Sequence, residues 1–124
     1  HHLGMLAEGQ RDWSVAEQWY KKSLAIKEKQ GNEHGAAGTY HQFGQLARLQ
    51  KDYVHAAEWY LKALPIFLRL NDLYHFAMVA RNFILALHAA DPATQILLRQ
   101  KWQQAGLEQH IPLDLLEQKL NEHT

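Results

Sequence analysis

Residues 16–26 read AEQWYKKSLAI and residues 56–66 read AAEWYLKALPI, so Ala16, Trp19, Tyr20, Lys22, Leu24 and Ile26 each recur 40 residues later. The same offset pairs His1 with His41, Gly4 with Gly44, Leu6 and Ala7 with Leu46 and Ala47, Gln10 with Gln50 and Asp12 with Asp52. About a dozen of the first 40 positions match without a gap, which is the signature of a repeated supersecondary unit. One such unit cannot bury its apolar face alone, so the expected object is a stack of them.

At 124 residues the chain is long enough for one core and too short for two. Hydrophobic residues make up 47% of it, which supports a sizeable core. Lys and Arg total 13, as do Asp and Glu, so the basic footprint of a nucleic-acid binder is missing and no nucleic-acid partner is expected. There is no cysteine, which excludes disulfides, thiolate metal sites and cysteine nucleophiles and suits a reducing compartment. No apolar run reaches membrane-spanning length, so the expectation is a cytoplasmic protein without a membrane partner.

Along the chain, apolar residues at spacings of three and four predict helices over 13–29, 33–49, 53–70, 73–90, 92–105 and 112–121. Residues 1–8 carry the same pattern with no capping residue before them, so the sequence is expected to begin partway through a helix of a longer chain, giving about seven in all. The register of His1 with His41 favours native residues over a tag remnant at His1 and His2. Asp12, Asn32 and Asp72 stand where side-chain oxygens can accept from free N–H groups at helix starts, Lys51 and Asp52 make a turn, and Asp91-Pro92 signals another helix start, since Pro is well tolerated in the first turn. Inward stripes are expected from Ala16, Tyr20, Ser23 and Leu24; from Ala36, Ala37, Tyr40, Phe43, Gly44 and Ala47; and from Phe76, Ala77, Ala80, Phe83, Ile84 and Leu87. Pro65, inside the helix over 53–70, predicts a kink and not a break, since Ile66, Phe67 and Leu70 continue the apolar stripe. After residue 90 the pattern weakens: Ile96, Arg99 and Gln100 stand where Ala56, Trp59 and Tyr60 would recur. The last two helices, the second presenting Leu113, Leu116 and Leu120, read as a cap on the exposed end of the core.

With a small residue in the first helix of each unit and a small residue, an aromatic four on and a further small residue in the second, the chain resembles the tetratricopeptide repeat. The residues are Gly4, Ala16, Tyr20 and Ser23, then Gly44, Ala56, Tyr60 and Ala63. The resemblance covers roughly the first 90 residues. It implies an all-α, right-handed superhelix of antiparallel helix pairs: a truncated repeat over 1–32, a second over 33–72, a degenerate third over 73–105 and a capping helix over 106–124. The period of 40 exceeds the usual 34 and is similar to the long repeats of kinesin light chains and of bacterial signalling proteins in which the array follows a nucleotide-binding switch. Gly4 and Gly44 are expected where paired helices cross, opposite Ala16 and Ala56, with Tyr20 and Tyr60 filling the gap between units.

The resemblance further implies that first helices line a concave inner wall. Its residues would be His1, His2, Met5 and Glu8; His41, Gln42, Gln45 and Arg48; and Met78, Arg81, Asn82, Leu85 and His88. Arg can fork onto a carboxylate, and Gln or Asn can satisfy both groups of a peptide unit. The expected partner is a protein or peptide, or a neighbouring domain of a nucleotide-driven signalling protein. The family's clamp for C-terminal carboxylates needs Lys and Asn where this chain has His1, Met5 and Gln42, so that clamp is not expected. Neither catalysis nor a cofactor is expected: GxSxG and phosphate-binding glycine loops are missing. The nine histidines include no i, i+4 pair and no HExxH, with His34 and His41 two turns apart on one predicted helix, so no metal site is expected. Repeat-equivalence of Trp13 with Tyr53, Trp19 with Trp59 and Tyr20 with Tyr60 points to packing. Trp19 and Trp59 lie off the core stripe, and are expected either to pack between units or to form a convex apolar surface for self-association, for which the ends of the array are the other route.

Overall fold

The computed structural model describes residues 13–122. The expected first helix, with Gly4, His1, His2, Met5, Glu8 and the Asp12 cap, lies outside the described residues. Those described form six helices and no strand: α1 (Trp13–Lys29), α2 (Glu33–Leu49), α3 (Tyr53–Arg69), α4 (Leu73–Ala89), α5 (Pro92–Gln104) and α6 (Leu113–Glu122).

The first four helices are each 17 residues long, and the three turns between them are built alike. The middle residue of each turn is left-handed: Gly31 at φ 69°, Lys51 at 64° and Asn71 at 58°. Two backbone bonds close each preceding helix, Asn32 N–H to Lys27 C=O (2.8 Å) and Gly31 N–H to Glu28 C=O (3.1 Å) in the first turn. Asp52 to Ala47 (2.9 Å) with Lys51 to Arg48 (2.9 Å), and Asp72 to Phe67 (2.8 Å) with Asn71 to Leu68 (3.1 Å), repeat the arrangement. This is the Schellman ending, which satisfies carbonyls that a helix end would otherwise leave bare. The next residue then starts the following helix: Asn32, Asp52 and Asp72 accept from the N–H groups of Gly35, His55 and His75. Stop and start signals therefore sit side by side, and the chain reverses in three residues. Through α3 the helix is unbroken at Pro65, which is exposed.

Each helix from α1 to α4 packs on the next; α2 also touches α4, and α5 packs on both α3 and α4. The main core draws on α2 to α6, with Ala37, Ala56, Tyr60, Ala63, Leu64, Phe67, Val79, Phe83 and Leu87 at its centre. A smaller cluster of Ala16, Tyr20, Phe43 and Leu46 joins α1 to α2, with Tyr20 edge-on to Phe43 at 5.8 Å. Ser23 is half-buried beside it. Tyr60 lies on Gly44 within its own helix pair: a Cβ at Gly44 would stand 2.5 Å from Tyr60 Cδ1. The close approach expected at Gly44 is therefore met by the Tyr60 ring. Trp59 stacks on Phe43 (4.5 Å, 17°), with Lys62 Nζ 5.0 Å from its ring centroid, and so packs between α2 and α3.

Two inward expectations change: Leu70, expected to continue the stripe past Pro65, is exposed at the end of α3, and one position of α4 differs. Ala77 is exposed, because it shares a helix row with exposed Arg81; Val79 and Ala86 are the additional buried residues of α4. In α5 the repeat-equivalent Ile96 and Gln100 are exposed, and the buried pair is Leu98 and Trp102. The spacing of four seen at Ala16–Tyr20 and Ala56–Tyr60 thus returns two residues late. The α4–α5 turn also differs from the earlier ones in having no left-handed residue: Ala90 is extended (φ −78°, ψ 159°), Asp91 caps, and Pro92 opens the helix. Trp102 donates its indole N–H to Ile111 C=O (3.2 Å), and Leu113, Leu116 and Leu120 of α6 pack on the same core.

Candidate protein-interaction face

Residues seven apart on a helix share a face. On α2, His41, Gln45 and Arg48 follow one another at spacings of four and three; on α4, Met78, Asn82 and Leu85 do the same. Because α2 and α4 touch, the two rows form one continuous surface. The join is a hydrogen bond from Asn82 Nδ2 to His41 Nε2 at 2.7 Å.

From that join a polar network runs along α2. The His41 ring lies 5.9 Å from the Tyr60 ring. Tyr60 is fully buried, and its hydroxyl donates to Gln45 Oε1. Arg48 Nε donates to the same Gln45 oxygen (3.3 Å) and to the Tyr60 hydroxyl (3.3 Å). Gln45 and Arg48 are thus held by a residue whose own position is fixed by packing on Gly44. His41 is lowered to about 4, chiefly by burial and further by the charges of His75 and Arg48. It is therefore neutral near pH 7, and accepting from Asn82 at Nε2 puts its proton on Nδ1.

Of the remaining residues expected on this face, Gln42 and Met78 are half-buried and Arg81 is exposed. His88 is drawn away: its Nε2 meets Glu117 Oε2 of α6 at 2.6 Å. Glu117 is also gripped by Arg99 Nη1 (2.7 Å) and Nη2 (3.2 Å), and Arg99 first, then His88, holds its carboxyl below the ordinary range. That cluster ties α4, α5 and α6 together. The Tyr60 hydroxyl escapes sequence reasoning, since repeat-equivalence assigns the side chain to packing alone. Its nearest signal is Gln45 and Arg48, which lie one and four residues past the Gly44 on which the ring packs.

Successive antiparallel helices whose alternate members touch define an all-helical repeat protein. The tetratricopeptide repeat family model matches residues 1–69, more than half of the chain, and the chain belongs to this family. Comparison with curated proteins and with solved structures gives no match. Tetratricopeptide repeats generally mediate protein–protein interaction and are typically non-enzymatic scaffolds. Among the described residues, no helix is long and apolar enough to cross a membrane.

Proposed function

We propose that the chain is a non-catalytic interaction module that takes an extended peptide, or a loop of a partner domain, along the face shared by α2 and α4. The observation that carries this reading is the network from Asn82 through His41 and Tyr60 to Gln45 and Arg48. It orders amide and guanidinium groups on an open surface before any partner arrives, which lowers the entropic cost of binding. Gln42, Gln45 and Asn82 can meet the N–H and C=O groups of a peptide backbone, and Arg48 and Arg81 favour an acidic side chain on it. His41, neutral at pH 7, adds no competing charge.

The test is affinity capture from a lysate of the source cell by the wild-type chain and by an Arg48→Ala/Arg81→Ala/Asn82→Ala variant whose helicity matches by circular dichroism. A protein captured by the wild type and lost by the folded variant supports the reading. Equal capture by both removes this face as the binding surface.

A further inference from the structure

His34 in the first turn of α2, and Asp72 and His75 at the start of α4, converge at one end of the α2–α4 face. His34 Nε2 and His75 Nδ1 reach the same oxygen, Asp72 Oδ2, at 2.7 and 2.6 Å. All three atoms lie within 4.8 Å of one another. We propose that His34 Nε2, His75 Nδ1 and Asp72 Oδ2 bind a divalent ion of the zinc class, leaving further coordination positions open to solvent.

The fold orients all three ligands without help from an ion. Asp72 Oδ1 is taken by the His75 backbone N–H (3.1 Å) in the helix cap, which aims Oδ2 at the imidazoles. Phe67, buried beneath them, sets both rings: His75 stacks on it (5.3 Å, 21°) and His34 stands edge-on (5.4 Å, 76°). The other caps lack this arrangement. Asp52 has one imidazole, His55 (2.6 Å), three residues on in its own helix, and Asp91 binds Thr94. Only at Asp72, among these caps, does a second imidazole arrive from another helix, 38 residues away in the chain.

Two imidazoles and one carboxylate are the donor set that zinc and its neighbours prefer, whereas calcium and magnesium prefer oxygen alone. Zinc bonds of about 2.0–2.2 Å would put tetrahedral ligand atoms roughly 3.3 Å apart, so Oδ2 must part slightly from both nitrogens to admit the ion. The His34 and His75 side chains are 54% and 41% exposed, which leaves room for that adjustment. The carboxylate offsets the positive end of the α4 dipole, which alone would disfavour a cation. His34 lies seven residues before His41, and His75 seven before Asn82, so the site is on the same face as the proposed peptide surface while its chemistry stands apart from that reading.

Isothermal titration of the full chain with zinc chloride tests the proposal beside three variants: His34→Ala, His75→Ala and the control His1→Ala/His2→Ala/His55→Ala. The expected result is one zinc per chain in the wild type and the control. Each ligand variant should bind at least about tenfold more weakly, the size of loss that follows even from disturbing groups behind a ligand. A second readout does not depend on substitution: in wild-type long-range proton–nitrogen spectra, zinc should shift the His34 and His75 ring resonances before those of any other histidine. Zinc uptake unchanged in both ligand variants, no saturable uptake by the wild type, or first shifts at other histidines would each overturn the proposal.

Discussion

At His41 burial costs the imidazole its charge. Arg48 on the same helix, His75 from α4 and the Tyr60 ring from α3 surround it, and the Asn82 amide donates to it. In the unfolded chain this histidine takes up a proton near 6.5, while in the folded chain it does so only near 4. Between those values the unfolded state holds the extra proton, so its contribution to stability is complete above pH 6.5 and is lost progressively as pH falls toward 4. Replacing His41 with Gln keeps an oxygen for Asn82 and removes the titration. Urea unfolding midpoints of wild type and variant should therefore converge or cross as pH is lowered through that window. Curves that stay parallel would show that His41 titrates alike in both states. Sequence alone placed His41, Gln45, Arg48 and Asn82 on first helices by register, but not the bonds among them. The Asn82–His41 bond joins two helices 41 residues apart in the chain, and the Tyr60 hydroxyl reaches Gln45 and Arg48 from α3, neither of which a one-dimensional pattern can display.

The helices end where they do because each turn carries its own stop and start. Predicted and observed spans differ by no more than a residue at each end from α1 to α6, since caps are local and local chemistry is legible in a sequence. The left-handed positions are less uniform than the geometry: Gly31 adopts its φ freely and Asn71 at little cost, but Lys51 holds 64° with a full side chain. Glycine at Lys51 would relieve about 1–2 kcal/mol of that strain and give back part of it through a freer unfolded chain. Lys51→Gly should accordingly raise stability by up to about 1 kcal/mol, read as a higher urea midpoint at unchanged m-value. A lower midpoint would mean that Lys51 makes a contact worth more than the strain. The convergence of His34, Asp72 and His75 was not legible, for the reason opposite to the caps. No two histidines stand at ligand spacing, and the set exists only because α2 and α4 begin side by side.

At the scale of the molecule, the α4–α5 turn departs from the three turns before it. Three turns of equal build keep α1 to α4 in strict register, and a fourth of the same kind would bury Ile96 and Gln100. After the differently built Ala90–Asp91 turn, the buried pair of α5 is instead Leu98 and Trp102, two residues past the repeat-equivalent positions of Ala56 and Tyr60. Leu107, Ile111 and Leu113 pack in the same core as that larger pair. The Trp102 indole bond to Ile111 C=O then pins the segment around Ile111 in place. If α5 packs in this register, Trp102→Ala should cost about 3–5 kcal/mol, as expected for a large buried aromatic. Ile96→Ala and Gln100→Ala, at the positions equivalent by strict repeat, should stay within about 0.5 kcal/mol of wild type. Chemical unfolding of the three variants distinguishes the registers. Comparable losses at Ile96 and Trp102 would mean that α5 keeps the 40-residue register in solution. A loss confined to Trp102 would mean that α5 packs on its own spacing, which is why the repeat signal fades there while the helical signal does not.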